Sequence, residues 1–554
     1  MVYNCKSGLF PRKVNVKRFQ SGWAFTALVF LAGPFAIVAR AQEQDRECYA
    51  TIEHGTDHSV SKRADIERFA TRASAILHAA PANKADWGIL IVDAASGETL
   101  YEQNPDSFFV PASNMKLFTT ALALAKLGPD YRFHTTIEMR GKLSKKGKLE
   151  GDLVLLGRGD PNLSNRKFPF VKEVEQEGPP EAVLNELAAA IQAKGIREIK
   201  GDVIADDSYF PSERYPSGWE IDDMVWSYGS AISAIVVNDN TVTLTLQPGA
   251  IPGDPATFTL EPQTVEFAVR NEVITAPAGT KPDLTLTREP GAPLVVIRGV
   301  VPVKNNPRKL VLAIEEPAEH AAMLLKRLLQ ERGIKIRGQA RAQHEAVLSS
   351  NSGTIKDPLV LAEHVSVPLS DALQPINKMS ENLHTEVLLR AAARQAGLWN
   401  GPEGLAKFAA EFYESAGIAA GDVVQSDGSG LSRRNLVTPR AVVALLQYVS
   451  KQPWFDVYYS SLPVAGVDGT LADRMKDSPA AGRIHAKTGS VEHVRTLSGF
   501  ADTLSGHRVI FSILSNNQGA NNSEATAALD AICRAMVEEI GQSVAPTNEH
   551  SDDH

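Results

Sequence analysis

Pro111-Ala-Ser113-Asn-Met-Lys116-Leu-Phe-Thr-Thr-Ala-Leu-Ala-Leu-Ala-Lys126-Leu-Gly128-Pro129 is the stretch on which the reading of the fold turns. It opens with Pro and closes with Gly-Pro, the usual punctuation of a helix, so Ser113 is expected in a first helical turn. A residue three positions on lies on the same helix face, which puts the Lys116 amine within reach of the Ser113 hydroxyl. The macrodipole at that end favours developing negative charge. Lysine acts as a base only when neutral, which demands desolvation or a neighbouring positive charge. Alone, the string reads as a surface serine and a solvated lysine on an Ala-rich helix, and Ser59-Val-Ser-Lys62 shows how readily Ser-x-x-Lys recurs.

Two further strings change that reading. Ser380-Glu381-Asn382 falls between Leu369–Met379 and the helical run Leu383–Gly397, at a break where a hydroxyl and an amide can face one cleft. There Ser380 would relay a proton to a leaving nitrogen and Asn382 would bond the substrate backbone. Local evidence equally allows Ser380 to be the cap of the following helix. Ser349-Ser-Asn351 and Ser515-Asn-Asn517 share the pattern, so the surroundings select Ser380. The third string, Lys487-Thr488-Gly489-Ser490, precedes the strand-like runs Leu497–Thr503 and His507–Ser515, an antiparallel meander. Gly489 is expected to let a substrate backbone approach, with the Thr488 and Ser490 hydroxyls beside the Lys487 charge as a cradle for a carboxylate. Lys487 is also a candidate source of the charge that keeps Lys116 neutral. Nucleophile, proton-transfer group and carboxylate-binding strand together point to serine acyl transfer.

Ser-x-x-Lys, Ser-x-Asn and Lys-Thr-Gly form the motif set of β-lactamases and penicillin-binding proteins. The chain resembles class C low-molecular-mass penicillin-binding proteins, the D-alanyl-D-alanine carboxypeptidases/endopeptidases, from about Trp87 to about Met536. The likeness is carried by Gly157-Arg-Gly-Asp160-Pro161, Gly201-Asp-Val-Ile-Ala-Asp206-Asp207-Ser208, Gly218-Trp219-Glu-Ile-Asp222-Asp223, Asp427-Gly428-Ser429-Gly430-Leu431-Ser432 and Leu462-Pro463-Val-Ala-Gly466-Val-Asp468-Gly469-Thr470-Leu471. Glu381 stands where the family also allows Asp, and Ser490 where it often has Thr.

The 267 positions from Ser113 to Ser380 exceed what one transpeptidase-like domain needs between these motifs. The resemblance implies that the insertion is the mark of this class. Its strand-like runs Leu153–Leu156, Asp202–Ala205, Thr241–Leu246, Val265–Val269, Leu284–Thr287 and Leu294–Ile297 are separated by Pro and Gly clusters, with helices at Pro180–Gly195 and Pro317–Gly333. The expected division is 1–41 an export signal, 42–131 and 351–545 two parts of the penicillin-binding domain, 132–350 two nested β-rich lobes, and 546–554 an acidic tail. The fold class is α/β (α+β): one antiparallel sheet with helices on both faces, packed also by the amphipathic segment Ala64–Leu77 and a C-terminal helix from Ser523.

Arg12, Lys13, Lys17 and Arg18 precede the apolar run Trp23–Val38, and Ala39-Arg-Ala41 fits a small-x-small cleavage site, so export to the periplasm with cleavage after Ala41 is expected. The run is short for a membrane span, no cysteine at the junction suggests a lipid anchor, and the tail offers no second one. Removal of 1–41 leaves 51 Lys and Arg against 65 Asp and Glu, a charge of −14 against −8 for the whole chain, which argues against nucleic acid as a partner. Cys48 and Cys533 remain, either free or joined as a disulfide, and neither has a catalytic neighbourhood. Without His-Glu-x-x-His or Cys-x-x-Cys no metal is expected, and no cofactor.

The resemblance implies a mechanism. Neutral Lys116 takes the Ser113 proton as Oγ attacks the carbonyl between two terminal D-alanines of a peptidoglycan stem peptide, and water later releases the acyl group. The oxyanion would be held by the N–H groups of Ser113 and Ser490, and a β-lactam would acylate Ser113 as an inhibitor. A β-lactamase or esterase shares the three strings, a transpeptidase shares the chemistry, and a non-catalytic wall-binding or division scaffold would use only the lobes. The long insertion and intact Ser113, Lys116, Ser380, Asn382 and Lys487 favour the peptidase, as monomer or homodimer.

Overall fold

The computed structural model describes residues 63–171, 178–262, 267–345, 359–398, 401–519 and 522–542. Five strands form the central antiparallel sheet in the order Ile484–Val491, Val494–Asp502, Arg508–Asn516, Asp86–Asp93 and Thr99–Gln103. Arg508–Asn516 is buried at every position after the first, because helices cover both faces of the sheet, and its polar Ser512 and Asn516 are hydrogen-bonded to Ser498 and the Val110 backbone.

Helices Ala64–His78 and Asn522–Glu539 cover one face. Ile66, Phe69, Ala73 and Leu77 form the inward stripe of the first and meet Leu529, Ile532 and Met536 of the second over Ile89, Ile91 and Phe511. Cys533 is fully buried in this layer, and burial raises its thiol pKa. Its candidate partner Cys48, the export signal and the acidic tail lie outside the described residues. Among the described residues no helix is long and apolar enough to cross a membrane.

The other face carries helices Met115–Leu127, Asn382–Gln395, Pro402–Ser415, Pro439–Val449 and Phe455–Ser461. Every residue from Met115 to Leu124 is buried, so Lys116 sits in the core of the domain. The surface-helix reading of that stretch therefore fails. Its Ala and Leu content suits a helix apolar all round, wedged between the sheet and Asn382–Gln395.

The insertion builds three more sheets. His134–Leu143 pairs antiparallel with Lys148–Leu156 and with Leu359–Val365, a strand past the expected boundary at 350, and Glu198–Ile199, Val203–Asp206, Lys335–Ile336 and Ala340–Gln343 complete seven strands. Helices Ala182–Ala193 and Pro317–Glu331 pack on them. Between Asp206 and Pro317 the chain forms two three-stranded sheets around Val242, Leu244, Val273, Val295, Ile297 and Leu312. Of the run read as Val265–Val269, Val265 and Glu266 lie outside the described residues, and Ala268 and Val269 open a strand that spans Ala268–Ala276.

Candidate active site

Ser113 sits in a 3-10 turn, Ala112–Asn114, that runs directly into Met115–Leu127. Ala112 is fully buried at φ 47°, a left-handed backbone that a non-glycine residue holds at a cost of about 1–3 kcal/mol. Two glycines make room for this turn. A Cβ on Gly430 would stand 1.8 Å from the Ala112 carbonyl oxygen, and one on Gly489 would stand 2.6 Å from that of Pro111 and 2.0 Å from Thr496 Oγ1. Gly489 was expected to admit a substrate backbone; what passes against it in the structure is the chain's own Pro111–Ala112 backbone, at the start of the Ser113 turn.

Lys116 Nζ lies 3.0 Å from Ser113 Oγ, 2.6 Å from Asn382 Oδ1 and 2.7 Å from the Ser429 carbonyl oxygen. The last two groups only accept hydrogen bonds. A neutral amine has two N–H donors and one lone pair, so those acceptors take both protons and leave the lone pair facing the serine hydroxyl. Burial lowers the Lys116 pKa to about 8, against the opposing pull of Asp427, Glu386 and Glu381. Desolvation, rather than the charge of Lys487, is thus the main reason Lys116 can be neutral.

Ser380 has left-handed backbone (φ 68°), and its Oγ accepts a hydrogen bond from Lys487 Nζ at 2.9 Å. Its side chain does not cap the following helix, whose N-cap position is Glu381. Asn382, expected to face substrate, has its amide engaged within the chain: Oδ1 meets Lys116, and Nδ2 donates to the Tyr228 carbonyl of the insertion at 2.8 Å. Lys487 lies on the edge strand and also reaches the Thr488 carbonyl at 3.1 Å. Its pKa falls well below the usual lysine value, through burial first and then the charge of Lys116. Ser490 is exposed at the lip, and Thr488 Oγ1 lies 2.8 Å from Thr470 Oγ1.

Ser113, Ser380, Asn382 and Ser490 line one cleft of about 530 Å³, walled by Glu220, Asp223 and Tyr228 from the insertion and by Arg433, Glu492 and Arg495. A second cleft of about 520 Å³, between Arg214, Met224, Arg288 and Glu319, holds none of the motif residues. Chemistry rather than size identifies the site.

Several groups around the motifs were not singled out in the sequence. Asp239 of the insertion accepts hydrogen bonds from His384 Nε2 (2.8 Å), Ser164 Oγ (2.9 Å) and Arg166 Nη2 (2.5 Å), bracing the helix that follows Ser380. Lys378 Nζ is 2.6 Å from Asp468 Oδ2, which ties the turn before Ser380 to the loop carrying Thr470. The strings containing Asp427, Asp468 and Asp223 were visible as family motifs, whereas Asp239, His384 and Arg166 gave no signal of their own.

A lysine buried beside a serine hydroxyl, against the edge strand of a helix-covered antiparallel sheet, is the arrangement of the serine acyltransferases that share the β-lactamase and penicillin-binding fold. Within that class the chain belongs to the D-Ala-D-Ala carboxypeptidase 3 (S13) family, whose sequence profile matches residues 70–536. It is 34% identical over 467 residues to a D-alanyl-D-alanine carboxypeptidase of Actinomadura sp. (strain R39), covering 82% of this chain and 81% of that one. Identity to the D-alanyl-D-alanine carboxypeptidase DacB of Haemophilus influenzae is 27% over 438 residues, 76% of this chain and 84% of the relative. The crystal structure of penicillin binding protein 4 (dacB) from Haemophilus influenzae matches with a TM-score of 0.72 at 25% identity, over 84% of this chain and 98% of the other.

Proposed function

We propose that the chain hydrolyses D-alanyl-D-alanine termini of peptidoglycan stem peptides in the periplasm, through an acyl-enzyme on Ser113, and that it also cuts cross-links between stems. The observation that supports this most is the bonding of Lys116 Nζ, with two fixed acceptors and one direction left open toward Ser113 Oγ.

As Oγ attacks the scissile carbonyl, its proton passes to Lys116 Nζ, and the new C–O bond forms as the carbonyl electrons move onto oxygen. The N–H groups of Ser113 and Ser490 would hold that oxyanion; one such donor is typically worth about 2.7–4 kcal/mol of barrier. The oxyanion then collapses and the C–N bond breaks, and the departing D-alanine nitrogen takes the proton held by Lys116, relayed through the Ser380 hydroxyl that Lys487 orients, which leaves Lys116 neutral again. Water, deprotonated by Lys116, releases the acyl group.

The terminal carboxylate would lie against Thr488, Ser490 and Lys487. Lys487 is buried, and its Nζ donates to Ser380 Oγ and the Thr488 carbonyl rather than to a carboxylate, so an anionic substrate supplies the charge that favours its protonated form. A β-lactam presents the same acyl and carboxylate groups and would esterify Ser113.

Release of D-alanine from a synthetic peptide ending in D-Ala-D-Ala tests the reading. Wild type should release it and Ser113→Ala should not; equal release by both would overturn the assignment. A cross-linked dimeric stem peptide in the same assay reads the endopeptidase arm.

A further inference from the structure

Helix Asn382–Gln395 carries, one turn after Asn382, a carboxylate that the mechanism above does not use. Glu386 is fully buried. Its Oε1 accepts two backbone hydrogen bonds, from Gly428 N at 2.8 Å and Ser429 N at 2.7 Å. Its Oε2 accepts from Arg390 Nη1 at 2.7 Å, and the other end of Arg390 reaches Glu213 Oε2 at 3.3 Å. Thr119 Oγ1, on the Lys116 helix, donates to the Gly428 carbonyl at 2.8 Å. The Gly428–Ser429 segment is thereby gripped through both N–H groups and one carbonyl. The remaining carbonyl, that of Ser429, points at Lys116 Nζ.

We propose that Glu386 is a positioning residue for acyl transfer, holding the Ser429 carbonyl as the second fixed acceptor of Lys116. Asn382 and Glu386, four residues apart on one helix face, then share a task. Asn382 takes one amine proton directly, and Glu386 places the backbone carbonyl that takes the other. With both protons committed, the amine lone pair is fixed toward Ser113. Replacing an ion pair with neutral groups of similar shape is often harmless to stability, whereas leaving one buried charge unpaired is not. A purely structural role would therefore not require this charge beside the base.

Glu386 also acts through its charge. Lys116 faces Asp427 and Ser429 from the glycine-rich loop, Glu381, Asn382 and Glu386 from the helix and the residue before it, and Lys487 from the edge strand. Burial favours neutral Lys116, while the three carboxylates favour its protonated form. Loss of the Glu386 charge moves the balance further toward the free base.

The inference rests on Lys116 as the base and is tested on the full chain by the rate of Ser113 acylation with benzylpenicillin from pH 5 to 10. Glu386→Gln keeps the reach and removes the charge, so the acid limb of the profile should move down by about half a pH unit or more. Glu386→Asp keeps the charge and shortens the reach, so the limb should stay and the plateau should fall about tenfold or more. A Glu386→Gln limb that does not move, with the rate lowered by one factor at every pH, overturns the proposal. So does a Glu386→Asp plateau equal to wild type, and this variant carries the test alone where Glu386→Gln does not fold. Failure of the parent reading looks different: no acylation of wild type, or acylation of Ser113→Ala.

Discussion

Asp239→Asn is the perturbation that tests most sharply how the insertion serves the catalytic residues. Asp239 belongs to the insertion, yet its carboxylate holds His384, two residues past Asn382, and Arg166, which also approaches Glu381 Oε1 at 3.5 Å and Met379 Sδ at 3.6 Å. The string Ser380-Glu381-Asn382 is thus flanked on both sides by contacts of one acid–base cluster. Burial alone would raise the Asp239 pKa, but Arg166 and His384 outweigh it and hold the carboxyl below its usual range. Asn keeps the shape and can still accept from His384 or Ser164. Its Nδ2, however, turns a donor toward the guanidinium of Arg166, whose side chain is only 5% exposed. Breaking a buried pair costs about 3–5 kcal/mol, and the contact with Glu381 places this case at the lower end, about 3 kcal/mol. At roughly 2 °C per kcal/mol for a large domain, the melting temperature should fall by about 6 °C. Acylation by a fluorescent penicillin should slow by about tenfold or more as Ser380 and Asn382 lose their alignment. Thermal melts and time-resolved labelling read both. A melting temperature within 1 °C of wild type together with an unchanged rate would refute the idea that the insertion braces this motif.

Other outcomes follow from single sites. Acylation of wild type should rise with pH and level off above about 8, because Lys116 is a base only when neutral and burial brings it to that value; a limb near the usual 10.5 would contradict the buried site. Gly489→Ala should slow acylation by about 100-fold, since its Cβ would collide with Thr496 and Pro111 and push the edge strand from Ser113; a fully active variant would remove that role from Gly489. Burial raises Asp160 from 3.8 to about 7, so between those values the native state keeps a proton that the unfolded chain has lost. Its stabilising contribution is complete at acid pH and lost as pH rises toward 7, a change on the order of 4 kcal/mol. Asp160→Asn stays neutral, and its melting temperature relative to wild type should climb between pH 5 and pH 8; a pH-independent difference would contradict this.

What the sequence revealed of the site was what is local. Ser113 and Lys116 are three residues apart, and Lys487 to Ser490 are consecutive, so helix and strand periodicity place them without knowledge of the rest. The two long helices of the insertion and about half of its strands were readable from the same periodicities, whereas His134–Leu143, Thr257–Glu261 and Arg308–Ala313 were missed. What was hidden depends on distant packing. The Lys116 pKa is lowered because distant segments, among them Asn382 and Ser429 at 266 and 313 residues away, pack around it and bury it. Gly489 was read as an opening for substrate because Pro111 cannot be seen beside it in the sequence. The use of both ends of the Asn382 amide and the bracing by Asp239 depend on how the insertion folds back onto the Ser380 loop, and no periodicity encodes that.

Intact mass after incubation with benzylpenicillin tests the central claim most directly. Wild type should gain one penicilloyl group, located on Ser113 by peptide mapping, and Ser113→Ala should gain nothing. An adduct of equal yield in Ser113→Ala, or one mapped to another residue, would contradict the assignment of the nucleophile and of the cleft around it.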